Sequence, residues 1–409
     1  MPDSSSVLDP AAPFNARLRY HRERTGMSRA VLGGLVGRSA GWVKGLESGR
    51  LLQPRLPMLA RLANVLGVDL EDLTGEQGLP VTTYTKAAHE HLPAVTAALT
   101  DYPIDTTGVE PLQPAELAAK VAQAWQLWHG AARQRTAVAV VLPDLIRQAR
   151  LSARLLDGPD RRAAHRHLAQ VYHLAQLFLS YQPVPEMLML SGDRAMGAAQ
   201  DADDPHAIAA AAWYMNHAFR SAGERDEARI DLATRAARLL RPDRGGEDLA
   251  RWGLLQLAIA LSHAKSGREG HALGAWDEAH RAARALGDGY SHPWLIFGPG
   301  MVDAYAVTIQ ADLMHAGTAT RLADRLELDG MPSATRRSFH LAEAARAYFL
   351  RREHLGTVHL LRKAYQVSPD TTRFSLFARS AVLELSETGG PAIRDDVAEL
   401  SRDLGLTAA

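Results

Sequence analysis

At 409 residues the chain exceeds a single ordinary core, so two or more domains are expected. Its composition is 46% hydrophobic but only 6% aromatic, with alanine, leucine and arginine dominant, which favours helices over sheets. Zero cysteines exclude disulfides, thiol nucleophiles and cysteine-ligated zinc, and the formal charge of zero averages over an uneven distribution.

A cysteine-free chain fits the cytoplasm, which is the expected location. The start of the chain lacks a basic-then-apolar leader, and no run of 18 apolar residues occurs, so neither secretion nor membrane spanning is expected. Residues 1–13 hold prolines, serines and small residues without periodicity and read as a flexible arm.

From Phe14 to Thr74 the spacing is that of a small five-helix bundle. Helix one runs from about Asn15 to Arg24 with Leu18 inward, and Gly26 releases the turn. Ser28 can cap helix two, which carries Val31, Leu32 and Leu35 and ends at Gly37. Ser39 caps helix three, whose Val43 and Leu46 share one apolar face. Two short helices joined in this way, the second with a polar outer face, form a unit that fits the major groove. Gly33 falls where helices two and three cross, and a missing side chain there serves close packing.

Charge agrees with this reading. Residues 14–61 hold ten arginines or lysines against Glu23 and Glu47, a balance of +8, so the remainder sums to −8. A basic block on such a bundle is the footprint of a phosphate backbone, and a mildly acidic remainder would be kept off it.

The run Met27 to Arg50 resembles the Cro/C1-type (Xre) helix-turn-helix family. Met27, Leu32, Val36, Gly37, Ser39, Val43, Leu46, Glu47 and Gly49 stand where that pattern wants them. Leu59, Leu62, Ala63, Leu66 and Leu70 continue it through helices four and five. Two departures from the family pattern stand out. Arg29 stands where a glutamine is usual, and the recognition helix is poor in amides, with Gly41, Trp42, Lys44 and Gly45 on or near its outside. Each interior glycine costs roughly 1 kcal/mol relative to alanine.

The resemblance implies a DNA-binding domain over residues 14–76. Arg29, Ser39, Ala40, Gly41, Trp42 and Lys44 would lie nearest the groove. Arg29 would offer guanine a bidentate fork or else contact phosphate. Ser39 is a helix cap or a base reader. Trp42 would pack on sugar or a thymine methyl, or against helix four or the rest of the chain. Lys44, Arg38, Arg50 and Arg55 read as phosphate contacts or plain solvated charge. Glu47 is expected to be structural, held by a nearby arginine or backbone amide.

Residues 77–113 carry Gly78, Pro80, Pro93, Pro103, Gly108 and Pro111, and read as a linker with one docking helix between Thr85 and Leu99. From Pro114 to Ala409 the pattern is helix after helix. Helices are expected at 114–130, 132–157, 160–180, 184–200, 205–222, 224–240, 247–265, 270–286, 299–316, 318–328, 333–351, 353–367, 371–387 and 391–403. Consecutive pairs recur at roughly 35–45 residues, the period of stacked helical repeats. The unit from Arg336 to Pro369, with Ala344, Ala347, Tyr348, Leu361, Ala364 and Tyr365, looks like a tetratricopeptide (TPR) repeat. Looser copies run from His206 to Pro242 and over 247–286.

The expected fold is thus all-α: a lambda-repressor-like head followed by a TPR-like helical-repeat solenoid. An Xre-type head on such a body resembles regulators of Gram-positive bacteria, including peptide-sensing and actinobacterial ones. That resemblance implies a homodimer formed by the body, double-stranded DNA as partner, and a signalling peptide or small molecule as effector. An alternative is a ligand-independent DNA-binding scaffold whose repeats recruit a protein partner.

On the sensing side, first helices of successive repeats would line a concave surface. Asn216 sits mid-helix, where asparagine is locally unfavourable. With Trp213, His217 and Arg220 it forms one stripe. Its amide would either clamp a peptide backbone or satisfy an interhelix hydrogen bond. Trp252, Gln256 and His263 make a similar stripe on the next repeat. Trp294 and Phe297 wall the groove or belong to the core, and Tyr305, His340 and Tyr348 are lesser candidates.

Seventeen histidines raise the question of catalysis. His89 with His91, and His165 with His167, point to different helix faces. No HExxH, no carboxylate pair and no phosphate loop occurs. Neither an enzyme, nor a cofactor, nor a metal is expected.

Overall fold

The computed structural model describes residues 12–54, 56–68, 70–75, 86–222 and 226–406. Helices dominate, and no strand occurs among the described residues. The head comprises α1 (Phe14–Arg24), α2 (Arg29–Leu35), α3 (Ala40–Glu47), α4 (Leu56–Leu66) and α5 (Leu70–Thr74). Leu18, Leu32, Val43, Leu46, Leu59, Leu62 and Leu73 fill its centre, while Val31 and Leu35 of α2 face outward. Residues 1–11, most of the expected arm, lie outside the described residues, as does Thr85, the expected start of the linker helix. That helix is observed as α6 (Leu92–Thr100), with Pro93 in its first turn setting where it begins.

Each helix expected after residue 114 has a counterpart. They are α7 (Pro114–Gly130), α8 (Gln134–Leu155), α9 (Gly158–Leu179), α10 (Pro185–Asp201), α11 (Pro205–Ala222) and α12 (Asp226–Ala237). Next come α13 (Gly246–Lys265), α14 (Glu269–Ala285), α15 (Pro299–Asp312), α16 (Ala316–Ala323), α17 (Ala334–Leu350) and α18 (His354–Val367). Then follow α19 (Pro369–Arg373), α20 (Leu376–Thr388) and α21 (Arg394–Asp403). The one expected segment that divides is 371–387. Pro369 starts a short helix, and the Ser375 hydroxyl accepts from the Ala378 N–H at 3.3 Å to start another.

Neighbouring helices pack pairwise along the chain, and the odd-numbered helices from α7 to α17 also pack on one another. Small residues allow this closeness. Ala209, Ala212, Ala258, Ala260, Ala279, Ala283, Ala344 and Ala347 are all buried.

The stack does not stay open. α17 returns to α7, and α19 to α8. At the joint, Thr335 donates to the Trp128 carbonyl at 2.7 Å, and His129 Nδ1 lies 2.9 Å from the Ser333 hydroxyl. The Thr136 N–H donates to Asp370 at 3.2 Å, and the Gln134 amide bridges Ser368 and Thr371.

The inner side of this circuit is filled. The segment between α14 and α15 folds inward, with the His292 N–H bonded to the Phe297 carbonyl and Ile296 in the left-handed region (φ 61°). Trp294 on this segment packs 5.1 Å from the Trp125 ring of α7, 6.2 Å from His173 of α9 and 6.5 Å from Tyr214 of α11. The expected extended concave face is therefore occupied by the chain's own aromatic rings.

Candidate nucleic-acid interface

The helix-turn-helix is held by backbone proximity and one buried charge cluster. Ser28 accepts from the Val31 N–H and Ser39 from the Trp42 N–H, each at 3.1 Å, so both serines cap their helices. A Cβ on Gly33 would lie 2.6 Å from the Arg38 carbonyl oxygen, which is why α2 can cross so near the start of α3. Glu47, its side chain 2% exposed, is gripped by Arg22 and by Arg29, the latter through Nε at 2.6 Å. Arg22 also donates to the Met27 carbonyl at 2.8 Å, tying α1 to the turn before α2. The Glu47 hydrogen bond raises the Arg22 pKa above its ordinary value and holds it charged. Two cations of the +8 block thus neutralise an internal carboxylate.

The remaining expected DNA contacts divide into three groups. Ala40 and Lys44 are exposed. Arg38 is half-buried, with its guanidinium 5.8 Å from the Trp42 ring centre. Arg55 lies outside the described residues. Ser39 and Gly41 meet the body of the same chain, while Trp42 packs on the head core and lines, with Arg50, a cavity at the seam with the body.

Three body loops receive α3. Each follows an odd-numbered helix and carries a residue in the left-handed region: Gly267 after α13 (φ 73°), Met314 after α15 (φ 66°) and Arg352 after α17 (φ 62°). All three close their helices with the same two backbone bonds. Gly267 donates to Ala264 and Arg268 to His263; Met314 to Ala311 and His315 to Gln310; Arg352 to Phe349 and Glu353 to Tyr348. This is the Schellman arrangement, repeated along one edge of the stack.

The contacts on this edge are close. A Cβ on Gly267 would overlap the Ser39 Cβ. A Cβ on Gly41 would lie 3.5 Å from Met314 Cβ and Cγ, and one on Gly45 would lie 3.0 Å from Met314 Cε. Arg352 donates to the Ser48 carbonyl at 3.3 Å. Beyond α3, Leu51 packs both on the head core and on the Val307, Ala311 and Leu350 cluster of the body. Leu52 packs on the cluster formed by α17, α18, α20 and α21.

For Trp42 the expected surroundings included the rest of the chain, and its ring packs on the head core. The glycines of α3 signal close approach, but not to what; the adjacent apolar Leu51 and Leu52 in a loop are the plainest hint of a partner surface. Met314 and Arg352 carry no local signal.

The expected ligand stripes are placed inside the body. Trp213 is fully buried and meets the His217 ring edge-on at 4.5 Å. Asn216 donates to the Arg229 carbonyl at 3.0 Å and accepts from the Ser262 hydroxyl at 3.4 Å, while Arg229 donates to Ser262 at 3.0 Å. This joins α11, α12 and α13, and is the interhelix alternative for Asn216. The Arg220 side chain lies outside the described residues. Trp252 and Gln256 are half-buried, and buried His263 packs 5.0 Å from the His271 ring. Phe297, Tyr305 and His340 are core, and Tyr348 donates to Asp324. The His89 and His91 rings stack 5.6 Å apart. Among the described residues no group of three or more acidic or histidine side chains is placed to hold a metal, and no helix is long and apolar enough to cross a membrane.

No curated protein matches the chain. Among solved structures, the crystal structure of BtubC (BKLC) from P. vanneervenii is similar at 12% identity and a TM-score of 0.36, covering 61% of this chain and 90% of that one. Residues 14–75 match the family described as a helix-turn-helix domain. The chain therefore carries a helix-turn-helix head on an all-helical body, and this head suggests a DNA-binding regulator.

Proposed function

We propose that the protein is a sequence-specific transcriptional regulator of the Xre type, whose TPR-like body controls the head by covering its reading helix. The observation that carries this is the shared surface. Ser39 and Gly41, which a major groove would meet, are the residues seated on Gly267 and Met314. A duplex and the body compete for one face, so DNA binding requires the head to lift away. The covered and lifted states form a two-state equilibrium, and whatever binds one state better shifts it.

Dimerisation belongs to this proposal on physical grounds. One small head buries little surface on DNA, so two heads about 34–36 Å apart, or a multiple of that, are the usual route to specific affinity. The lifted heads would be presented in pairs by the bodies.

Selection of duplexes from a random pool tests the reading, using the full chain and a Met314→Asp variant in parallel. A motif recovered with the variant, and more weakly with the parent, is expected. Failure of both proteins to enrich any motif would overturn it.

A further inference from the structure

At the seam between head and body lies a cavity of about 260 Å³. One wall is Trp42 with the loop after α3, and the other is Phe349 of α17 and Phe377 of α20. Among the described residues no aspartate or glutamate lines it, but three arginines do. Arg346 is neutralised by Asp312 at 2.8 Å and Glu343 at 2.6 Å, yet its buried Nε has no hydrogen-bond partner. Arg50 bonds the Ser48 hydroxyl at 3.2 Å. Arg379 donates to carbonyl oxygens, of Leu404 at 2.7 Å and Arg373 at 3.5 Å. Among the described residues neither Arg50 nor Arg379 has an ion-pair partner.

We infer that this cavity is a binding site for a small aromatic carboxylate, seated between the head and the body. The chemistry follows from the lining. Aromatic walls suit a flat apolar body, and the volume falls below that of drug-sized pockets, which limits the ligand to one or two rings. Guanidiniums without a carboxylate call for an oxyanion, and Arg forks match a carboxylate in two parallel bonds. Burial, with Arg373 nearby, lowers the Arg379 pKa, and an anion beside it would reverse that effect. Since one wall belongs to the head, the ligand meets both walls only while α3 is docked. It therefore favours the covered state and weakens DNA binding, which deepens the function proposed above and rests on it for that consequence.

Calorimetry on the full chain tests the site with benzoate, cinnamate and 2-naphthoate, and with 2-naphthalenemethanol as the uncharged counterpart. At least one acid should bind, with the alcohol weaker than 2-naphthoate by about tenfold or more. Arg379→Met should weaken the acid by a similar factor, and Ser380→Trp, which fills the cavity, should abolish binding. Equal binding of acid and alcohol, no binding by any acid, or unchanged affinity in both variants would overturn the inference. Calorimetry contains no DNA, so the site and the regulator reading can fail separately.

Discussion

Met314 Cβ and Cγ lie 3.5 Å from the position a Cβ would take on Gly41, and Met314 Cε lies 3.0 Å from the corresponding point on Gly45. Gly41 and Gly45 are one helical turn apart, so the methionine lies along a face of α3 that has no side chains. Met314 itself holds a left-handed backbone, which costs an L-residue roughly 1–2 kcal/mol. The flat helix face and the left-handed methionine together allow the head to seat.

Met314→Asp should release the head without unfolding either part. A carboxylate laid on the glycine face of α3 loses the apolar contact. If the covered state holds nine-tenths of the population, DNA affinity should rise by about tenfold. Fluorescence anisotropy with a selected duplex measures this, and an affinity equal to that of the parent would count against covering.

The glycines of the head should separate by role. Gly33→Ala drives a Cβ to within 2.6 Å of a backbone carbonyl that cannot turn aside, and should cost about 2 kcal/mol. Gly41→Ala meets only ordinary contact at 3.5 Å and adds helix propensity, so it should be neutral or stabilising by up to about 1 kcal/mol. Urea unfolding of the two variants would show the contrast, and equal losses would contradict it.

Glu47→Ala should remove the carboxylate that two arginines share. Arg22 would remain buried and charged without an acid partner on α3, a loss of about 3 kcal/mol. Arg29, half-exposed, would be released toward solvent. Chemical unfolding with a fluorescence probe in the head measures the cost, and a loss below about 1 kcal/mol would mean the cluster is not a stability element.

Acid should weaken the body. Burial lowers the pKa of His129, His173 and His292 to about 4 and that of His340 to about 3, with Arg336 adding to the effect at His129 and His340. Arg251 adds to it at His292, where Glu247 opposes. These imidazoles are neutral when folded and take up protons when unfolded between about pH 4 and 6.5, so the unfolded state binds more protons in that window. Their contribution to stability is complete above about pH 6.5 and declines as the pH falls toward 4. Melting temperatures at pH 7, 6 and 5 should fall in that order, and a flat profile would contradict burial of these rings.

Much of this architecture was legible in the sequence, for local reasons. The 3.6-residue period, with proline at helix starts and glycine in turns, marks almost every body helix; Ser28, Ser39, Gly33 and Glu47 mark the head. What was not legible depends on contacts distant along the chain. Nothing near Trp128 announces Thr335, so an open stack and a closed circuit read alike. Trp294 sits in a loop, and only closure turns it inward to fill the space where a ligand groove was expected. Gly41 and Gly45 were legible as a departure from an amide-bearing reading helix. Their partner, Met314, lies in a turn that looks like any other helix ending.

The most direct test uses the absence of native cysteine. The Cβ separation of 3.5 Å between positions 41 and 314 falls within the range a disulfide spans. A chain carrying both Gly41→Cys and Met314→Cys should cross-link on oxidation, lose duplex binding while oxidised, and regain it on reduction. Failure to cross-link, or an oxidised protein that binds duplex as tightly as the reduced one, would contradict the covering of α3 by the body.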